Sequence, residues 1–270
     1  MPVVTIEGIE VSVEHGATIL DAARLARVWI PAMCHLPSIS EQGSCRLCMV
    51  AIERRGRKEI VTACNYPIRG DLAVSVADEK ATRVRRGVME LLLARSPESP
   101  ELREVAERMG ISGTRFPTVT ESQRNCILCG LCVAVCEEAI TASAIGFAGR
   151  GVERTVASPF RQPSETCIAC GACAAVCPVG TIQVRLHADT GEAEISPFKS
   201  RVKLATCAEC GKRTVSPSVA AATAAKVSME WEQFKALARL CPECRRKHAA
   251  ESLALVASRS GAPESRWKES

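Results

Sequence analysis

Short apolar-rich runs at residues 3–6 and 11–13, on either side of Glu7-Gly8, have the form of two strands joined by a tight turn. Thr18 followed three residues later by Asp21 resembles a capping box, and the apolar positions behind it predict a helix from Ile19 to about Arg27. Pro31 ends that pattern and delivers Cys34 into a loop. Strands near residues 59–64 and 72–76 would complete a small mixed sheet. A helical period then ends in Leu91-Leu92-Leu93-Ala94, resumes over residues 101–116 and returns over about 220–239. The run from Gly146 to Gly151 has the wrong spacing for a dinucleotide-binding loop and reads as a turn. Residues 258–270 are polar, with Gly261 and Pro263, and read as a flexible tail or partner contact. No apolar run approaches the roughly 18 residues needed to span a bilayer. Residues 1–7 lack the basic-then-apolar form of a secretory leader, so a cytoplasmic protein without a transmembrane segment is expected.

Composition changes this picture chiefly through cysteine. The 270 residues include 16 cysteines but only nine aromatic residues, which points to thin cores reinforced by metal. The chain is too long for a small disulfide scaffold, and in a reducing compartment free thiols serve as metal ligands. The net charge of +5 hints at nucleic acid. That hint is weak, because bound thiolates add negative charge and the basic residues are scattered rather than blocked, so no nucleic-acid partner is expected.

The cysteines fall into four sets of four with none left over. Two of them, CILCGLCVAVC from Cys126 and CIACGACAAVC from Cys167, share eight of eleven positions at an offset of 41 residues. Both read C-x2-C-x2-C-x3-C, a spacing in which three cysteines wrap one cubane and the fourth ligates the other. Cys126, Cys129, Cys132 and Cys177 are therefore assigned to one [4Fe-4S] cluster, and Cys136, Cys167, Cys170 and Cys173 to the second. Gly130 and Gly171 leave room for the loops to bend. The usual following proline is present as Pro178, but Glu137 stands at the matching place in the first repeat. Two zinc sites are the alternative, one that four cysteines in eleven residues disfavour.

Cys34, Cys45, Cys48 and Cys64 match the inner pair of a plant-type [2Fe-2S] site with a longer first gap, a structural zinc being the alternative. Cys207, Cys210, Cys241 and Cys244 form two C-x2-C knuckles, typical of a four-cysteine zinc ribbon, with a further [4Fe-4S] cluster left open. The four histidines stand apart from any carboxylate or cysteine motif of catalytic form. His35, next to Cys34, reads as a solvent-facing loop residue with tuning of the [2Fe-2S] centre as the other reading. The chain has no catalytic motif of its own.

The order of these motifs resembles the iron–sulfur subunit of NAD-linked hydrogenases and formate dehydrogenases. It is similar also to the N-terminal part of the complex I large iron–sulfur subunit and of electron-bifurcating hydrogenases. The resemblance rests on the C-x10-C-x2-C signature, the Leu91-Leu92-Leu93-Ala94 helix and Arg124-Asn125-Cys126-Ile127, and covers about residues 1–185. It implies an α+β chain. A β-grasp [2Fe-2S] ferredoxin-like domain would occupy residues 1–78, a helical linker 79–120 and a two-cluster [4Fe-4S] ferredoxin domain 121–190; the knuckles after residue 205 are an addition to the family pattern and read as a zinc-ribbon-like extension over 200–257, before the tail. It also implies an electron relay between a flavin- and NAD(P)(H)-binding subunit and a distal catalytic metal-enzyme subunit. Family members carry, after the Leu-Leu-Leu-Ala helix, a His-Pro and three cysteines for an additional cluster. Here Ser96 stands at that histidine's place and no cysteine lies between Cys64 and Cys126, so the resemblance implies that cluster's absence. A zinc module without redox role is the competing reading.

Overall fold

The computed structural model describes residues 1–37, 39, 43–54, 56–119, 125–227 and 231–259. They divide into two compact units. The first comprises residues 1–166, 171–183 and 196–198, and the second residues 167–170, 184–195 and the chain from Lys199 onward.

The first unit opens with β1 (Val3–Ile6) and β2 (Ile9–Ser12), an antiparallel hairpin turned by Glu7 and Gly8, both at positive φ. The second strand starts two residues earlier than the apolar pattern suggested, because pairing with β1 recruits Ile9 and Glu10. Helix α1 (Ile19–Leu25) begins at the expected capping box: Thr18 accepts from the Asp21 amide and Asp21 reaches back to the Thr18 amide. Then come β3 (Met49–Arg54), β4 (Arg57–Thr62) and β5 (Leu72–Ser75). The five strands pair in the order β2-β1-β5-β3-β4, with only β1 and β5 parallel. Val4, Ile6, Ile19, Val50, Ile52 and Ile68 fill the core beneath α1. The resulting small mixed sheet with a helix across one face is the expected one, and β3 is an element the sequence pattern did not disclose.

Asp78 caps α2 (Glu79–Arg95), which buries Ala81, Arg85, Met89, Leu92 and Leu93 along one stripe. Arg85 is only 7% exposed. It donates to the Met49 carbonyl at 2.6 Å, to the Val76 carbonyl at 2.7 Å and to Thr82 Oγ1 at 2.9 Å, fastening the helix to the sheet. Ser99 caps α3 (Pro100–Arg108), which is shorter than the expected 101–116 because Gly110 at φ +70° ends it. The Gly110 amide bonds Glu107 O at 2.9 Å and the Ile111 amide bonds Ala106 O at 2.9 Å, the paired closure of a Schellman motif.

The first cysteine repeat supplies α4 (Leu131–Ala134), which runs on through a π-helical turn at Val135–Ala139. The segment expected to be a bare turn instead carries β6 (Gly146–Ala148), paired antiparallel with β7 (Thr155–Ala157). The turn lies between them, where Gly149 and Gly151 adopt positive φ. The second repeat supplies α5 (Ala172–Ala175).

The second unit holds all but the end residues Gln183 and Ser196 of a three-stranded sheet of β8 (Gln183–His187), β9 (Glu192–Ser196) and β10 (Ser200–Lys203), ordered β10-β9-β8. The Arg201 guanidinium, with help from His187, holds the Glu194 carboxyl below the usual carboxylate range. The single helix expected over 220–239 is two, α6 (Pro217–Ala224) and α7 (Trp231–Ala238). Helix α6 closes at its C-terminal end when Lys226 and Val227 both donate to the Thr223 carbonyl. Helix α8 (Pro242–Arg259) extends into the expected tail, of which residues 260–270 lie outside the described residues, as does Arg124.

Candidate iron–sulfur and four-cysteine sites

Cys34, Cys45, Cys48 and Cys64 converge from the loop after α1 and from the inner ends of β3 and β4, each no more than 7% exposed. The Cys45 amide donates to Cys34 Sγ at 3.3 Å. These thiols lie close enough to hydrogen-bond one another. Hydrogen bonds from the Cys45 and Cys64 thiols hold Cys34 down to about 2, and the Cys64 thiol holds Cys48 at about 7. Cys45 and Cys64 are pushed up in return, by donating to those neighbours. Four convergent thiols in a dry pocket are a donor set that fits a dinuclear iron cluster. His35 departs from its expected solvent-facing place: both ring nitrogens are buried, with no hydrogen-bond partner among the described residues. It follows Met33 and Cys34, which are 8% and 2% exposed, on a stretch that leaves the core by Pro37, so only its ring nitrogens and not the whole residue are enclosed.

The two repeats have matching backbones as well as matching residues. Leu128 (φ +53°) and Ala169 (φ +54°) take the left-handed conformation just before the second cysteine, and Gly130 (φ +82°) and Gly171 (φ +75°) just after it. For Leu128 and Ala169 this is strained, a cost characteristic of sites where backbone N–H groups must face a bound group. The missing proline has a visible consequence. After Cys136 the chain continues as a π-helical turn, with the Ile140 amide on Val135 O at 2.9 Å, whereas α5 stops before Pro178.

Within the first unit, Cys126, Cys129 and Cys132 line one cavity together with Cys177, the last cysteine of the other repeat. Ile127, Val156, Val179, Ile182 and Phe198 make the rest of its wall largely apolar. Burial pushes the Cys129 thiol up to about 12 and raises Cys126 and Cys132 as well, so the cavity is costly for bare thiolates. Iron bound by these four sulfurs would offset part of that cost by pairing the thiolate charge with metal. Cys129 also shares one apolar core with Cys34 and Cys45, through Met33, Leu47, Met89 and Leu92. Of the remaining cysteines, Cys136 and Cys173 belong to the first unit, and Cys167 and Cys170 to the second. Cys136 Sγ accepts from the Ala144 amide at 3.4 Å. Sequence reasoning missed Arg95, whose guanidinium donates to Cys126 O at 2.8 Å and to Arg154 O at 3.0 Å. An arginine in the last turn of a helix is an ordinary C-terminal residue, so its pattern gave no signal.

In the second unit Cys207, Cys210, Cys241 and Cys244 bring their sulfurs within 4.8 Å of one another. The Cys210 and Cys241 sulfurs are 3.6 Å apart, and Cys207 Sγ accepts from the Cys241 amide at 3.2 Å. Amide donors, the first from Cys210, lower Cys207 to about 6. Lys212 and Glu243 pair at 2.6 Å beside the site, as do His248 and Glu209 at 2.9 Å.

A 2Fe-2S iron-sulfur cluster binding domain matches residues 3–79, and a 4Fe-4S dicluster domain matches residues 125–181. Among solved structures, a chain of an NAD+-reducing [NiFe]-hydrogenase in the H2-reduced state is 30% identical, covering 58% of this chain and 74% of that one at a TM-score of 0.51. The chain belongs to the iron–sulfur subunit family of NAD-linked hydrogenases. Other relatives of this iron–sulfur subunit are the NADPH-Fe(3+) oxidoreductase subunit alpha of Geobacter sulfurreducens and the NADP-reducing hydrogenase subunit HndD of Solidesulfovibrio fructosivorans. The first is 33% identical over 54% of this chain and 20% of its own length, the second 31% over 59% and 32%. The 78 kDa subunit of mitochondrial NADH-ubiquinone oxidoreductase of Candida albicans is 31% identical over 57% of this chain and 25% of its own. The chain thus spans about a fifth to a third of these curated relatives. Among its described residues no helix is long and apolar enough to cross a membrane.

Proposed function

We propose that this iron–sulfur protein relays electrons, within a cytoplasmic oxidoreductase complex, between a flavin- and NAD(P)(H)-binding subunit and a distal catalytic metal-enzyme subunit. The observation that carries the reading is the apolar cavity walled by Cys126, Cys129, Cys132 and Cys177, joined through one core to Cys34 and Cys45. When bound, a [2Fe-2S] and two [4Fe-4S] clusters supply one-electron carriers. Cys34, Cys45, Cys48 and Cys64 would hold the first of these. Cys126, Cys129, Cys132 and Cys177 would hold one cubane, and Cys136, Cys167, Cys170 and Cys173 the other. The chain's own part is to fix the thiolates on strained loops, keep water from the sulfurs with Leu47, Ile127 and Val179, and place Arg95 beside Cys126.

The C-terminal four cysteines hold a single zinc in this reading. At a Zn–S distance of about 2.3 Å, a tetrahedral site has sulfur–sulfur edges of about 3.8 Å. The 3.6 Å between Cys210 and Cys241 supports that geometry, because in a cubane each cysteine binds a different one of four irons that alternate with sulfides, which spreads the ligand sulfurs much farther. Anaerobic purification followed by metal analysis is expected to give about ten irons and one zinc per chain, with a flavin subunit and a metal-enzyme subunit co-purifying. Protein carrying zinc at all four sites and no iron would overturn the relay.

A further inference from the structure

The C-terminal knuckles have no evident task in an electron relay, yet the second unit ties them to one of the ferredoxin loops. Cys207 and Cys210 sit at the tip of a hairpin. Its limbs are joined by the Cys207 amide on Lys212 O at 2.8 Å, the Thr214 amide on Ala205 O at 2.9 Å and the Thr206–Arg213 bridge. The outgoing limb ends at Ser216, which is 1% exposed. Its hydroxyl oxygen caps α6 by accepting from the Val219 amide at 3.2 Å, and its proton is donated to the Ile168 carbonyl at 3.0 Å. Ile168 lies between Cys167 and Cys170, next to Ala169 with its strained φ of +54°. A loop held in that conformation relaxes unless its surroundings over-determine it. The hairpin in turn is fixed from the other knuckle, by the Ala208 amide on Arg239 O at 2.9 Å, the Cys241 amide on Cys207 Sγ and the Lys212–Glu243 pair. Closure of the four thiols on a metal therefore sets the position of Ser216.

We propose that the four-cysteine module is a metal-closed clamp on the Cys167–Cys170 loop, with Ser216 as the positioning residue that holds the Ile168 carbonyl. This rests on the proposal that Cys167 and Cys170 ligate the second cubane and that the module binds one zinc. The clamp makes the second [4Fe-4S] cluster depend on zinc, while the [2Fe-2S] site and the first cubane do not.

The test uses the full holo-chain, native and with two substitutions at Ser216, and separate readouts for each cluster: redox-titrated EPR signals, iron release to a chelator, and zinc content. Ser216→Gly removes the hydroxyl at little cost to the helix cap. It is expected to keep zinc, leave the [2Fe-2S] and first cubane signals unchanged, shift the signal and potential of the second cubane, and speed its iron loss about fivefold, the factor one hydrogen bond carries. Ser216→Thr, which keeps the donor, is expected to restore the native values. Removing zinc from the native chain is expected to reproduce the Ser216→Gly change, and removing it from Ser216→Gly to add nothing further. An unchanged second cubane in Ser216→Gly, or an equal effect on all clusters, would overturn the clamp. Metal analysis is independent of that outcome: iron in place of zinc at the four cysteines would overturn the zinc reading, while Ser216→Gly still decides the tie to Ile168.

Discussion

Two charged residues of the first unit carry consequences disproportionate to their place in the sequence. Arg85 sits among apolar neighbours on α2 with its guanidinium spent on two carbonyls and a hydroxyl. Replacing it with methionine would strip the part-buried Met49 and Val76 carbonyls of these donors, so Arg85→Met is expected to destabilise the chain by about 1–3 kcal/mol. Thermal unfolding followed by circular dichroism checks this, and a melting point equal to wild type would refute it. Glu7 accepts from the Ala77 and Val76 amides and from Ser75 Oγ, tying the β1–β2 turn to the end of β5. The Ala77 amide is the largest cause holding its carboxyl below the ordinary value of 4.5. A carboxyl depressed in the folded state contributes stability fully above its unfolded value, and loses that contribution as pH falls through the folded one. Hydrogen exchange at Ala77, corrected for intrinsic rate, is thus expected to be slower in wild type than in Glu7→Gln at pH 6. The gap should narrow once the pH drops below about 4.5.

At the level of elements, legibility depended on how local the determining interaction is. The capping box at Thr18 and Asp21 was readable because it lies within four residues, and so was the repeat, because ligand spacing is a local constraint. β3 escaped notice because Val50, Ala51 and Ile52 are all buried, and a strand covered on both faces lacks the alternation that marks one with a face in solvent. The hairpin of β6 and β7 was hidden by glycines that read as punctuation but serve its turn. His35 was misplaced because burial of a polar ring depends on distant packing that no neighbour in sequence discloses. Helix α3 shows a stop signal that apolar periodicity overrode: Gly110 takes φ +70° and Ile111 packs back into the core with Leu102 and Ala106. A Cβ at Gly110 would meet nothing within 4 Å, so the cost of Gly110→Ala is conformational alone. It is expected to lower stability by about 1 kcal/mol, measurable by denaturant unfolding. A neutral outcome would mean that the helix end adjusts without the left-handed residue.

Over the whole molecule, the proposed crossed use of the two repeats is the feature with the widest reach, since it would make each cubane depend on both repeats rather than on one. Cys177 sits in the cavity with Cys126, Cys129 and Cys132, and the two repeats differ in the residue after their fourth cysteine, Glu137 in one and Pro178 in the other. Single cysteine variants would not separate crossed from uncrossed ligation, because either assignment loses one cluster in each case. A background in which Cys126→Ser and Cys129→Ser have already removed the first cubane does separate them. Adding Cys177→Ser to that background is expected to leave one [4Fe-4S] signal intact, since under the proposed crossed assignment the remaining cubane draws on Cys136, Cys167, Cys170 and Cys173. Adding Cys136→Ser instead is expected to abolish it. The [2Fe-2S] signal, whose four ligands all precede residue 65, serves in both triple variants as the internal measure that the chain has folded. If Cys177→Ser removed the last [4Fe-4S] signal and Cys136→Ser spared it, each repeat would be filling its own cubane. The four-cysteine cavity would then be a meeting of thiols without shared metal.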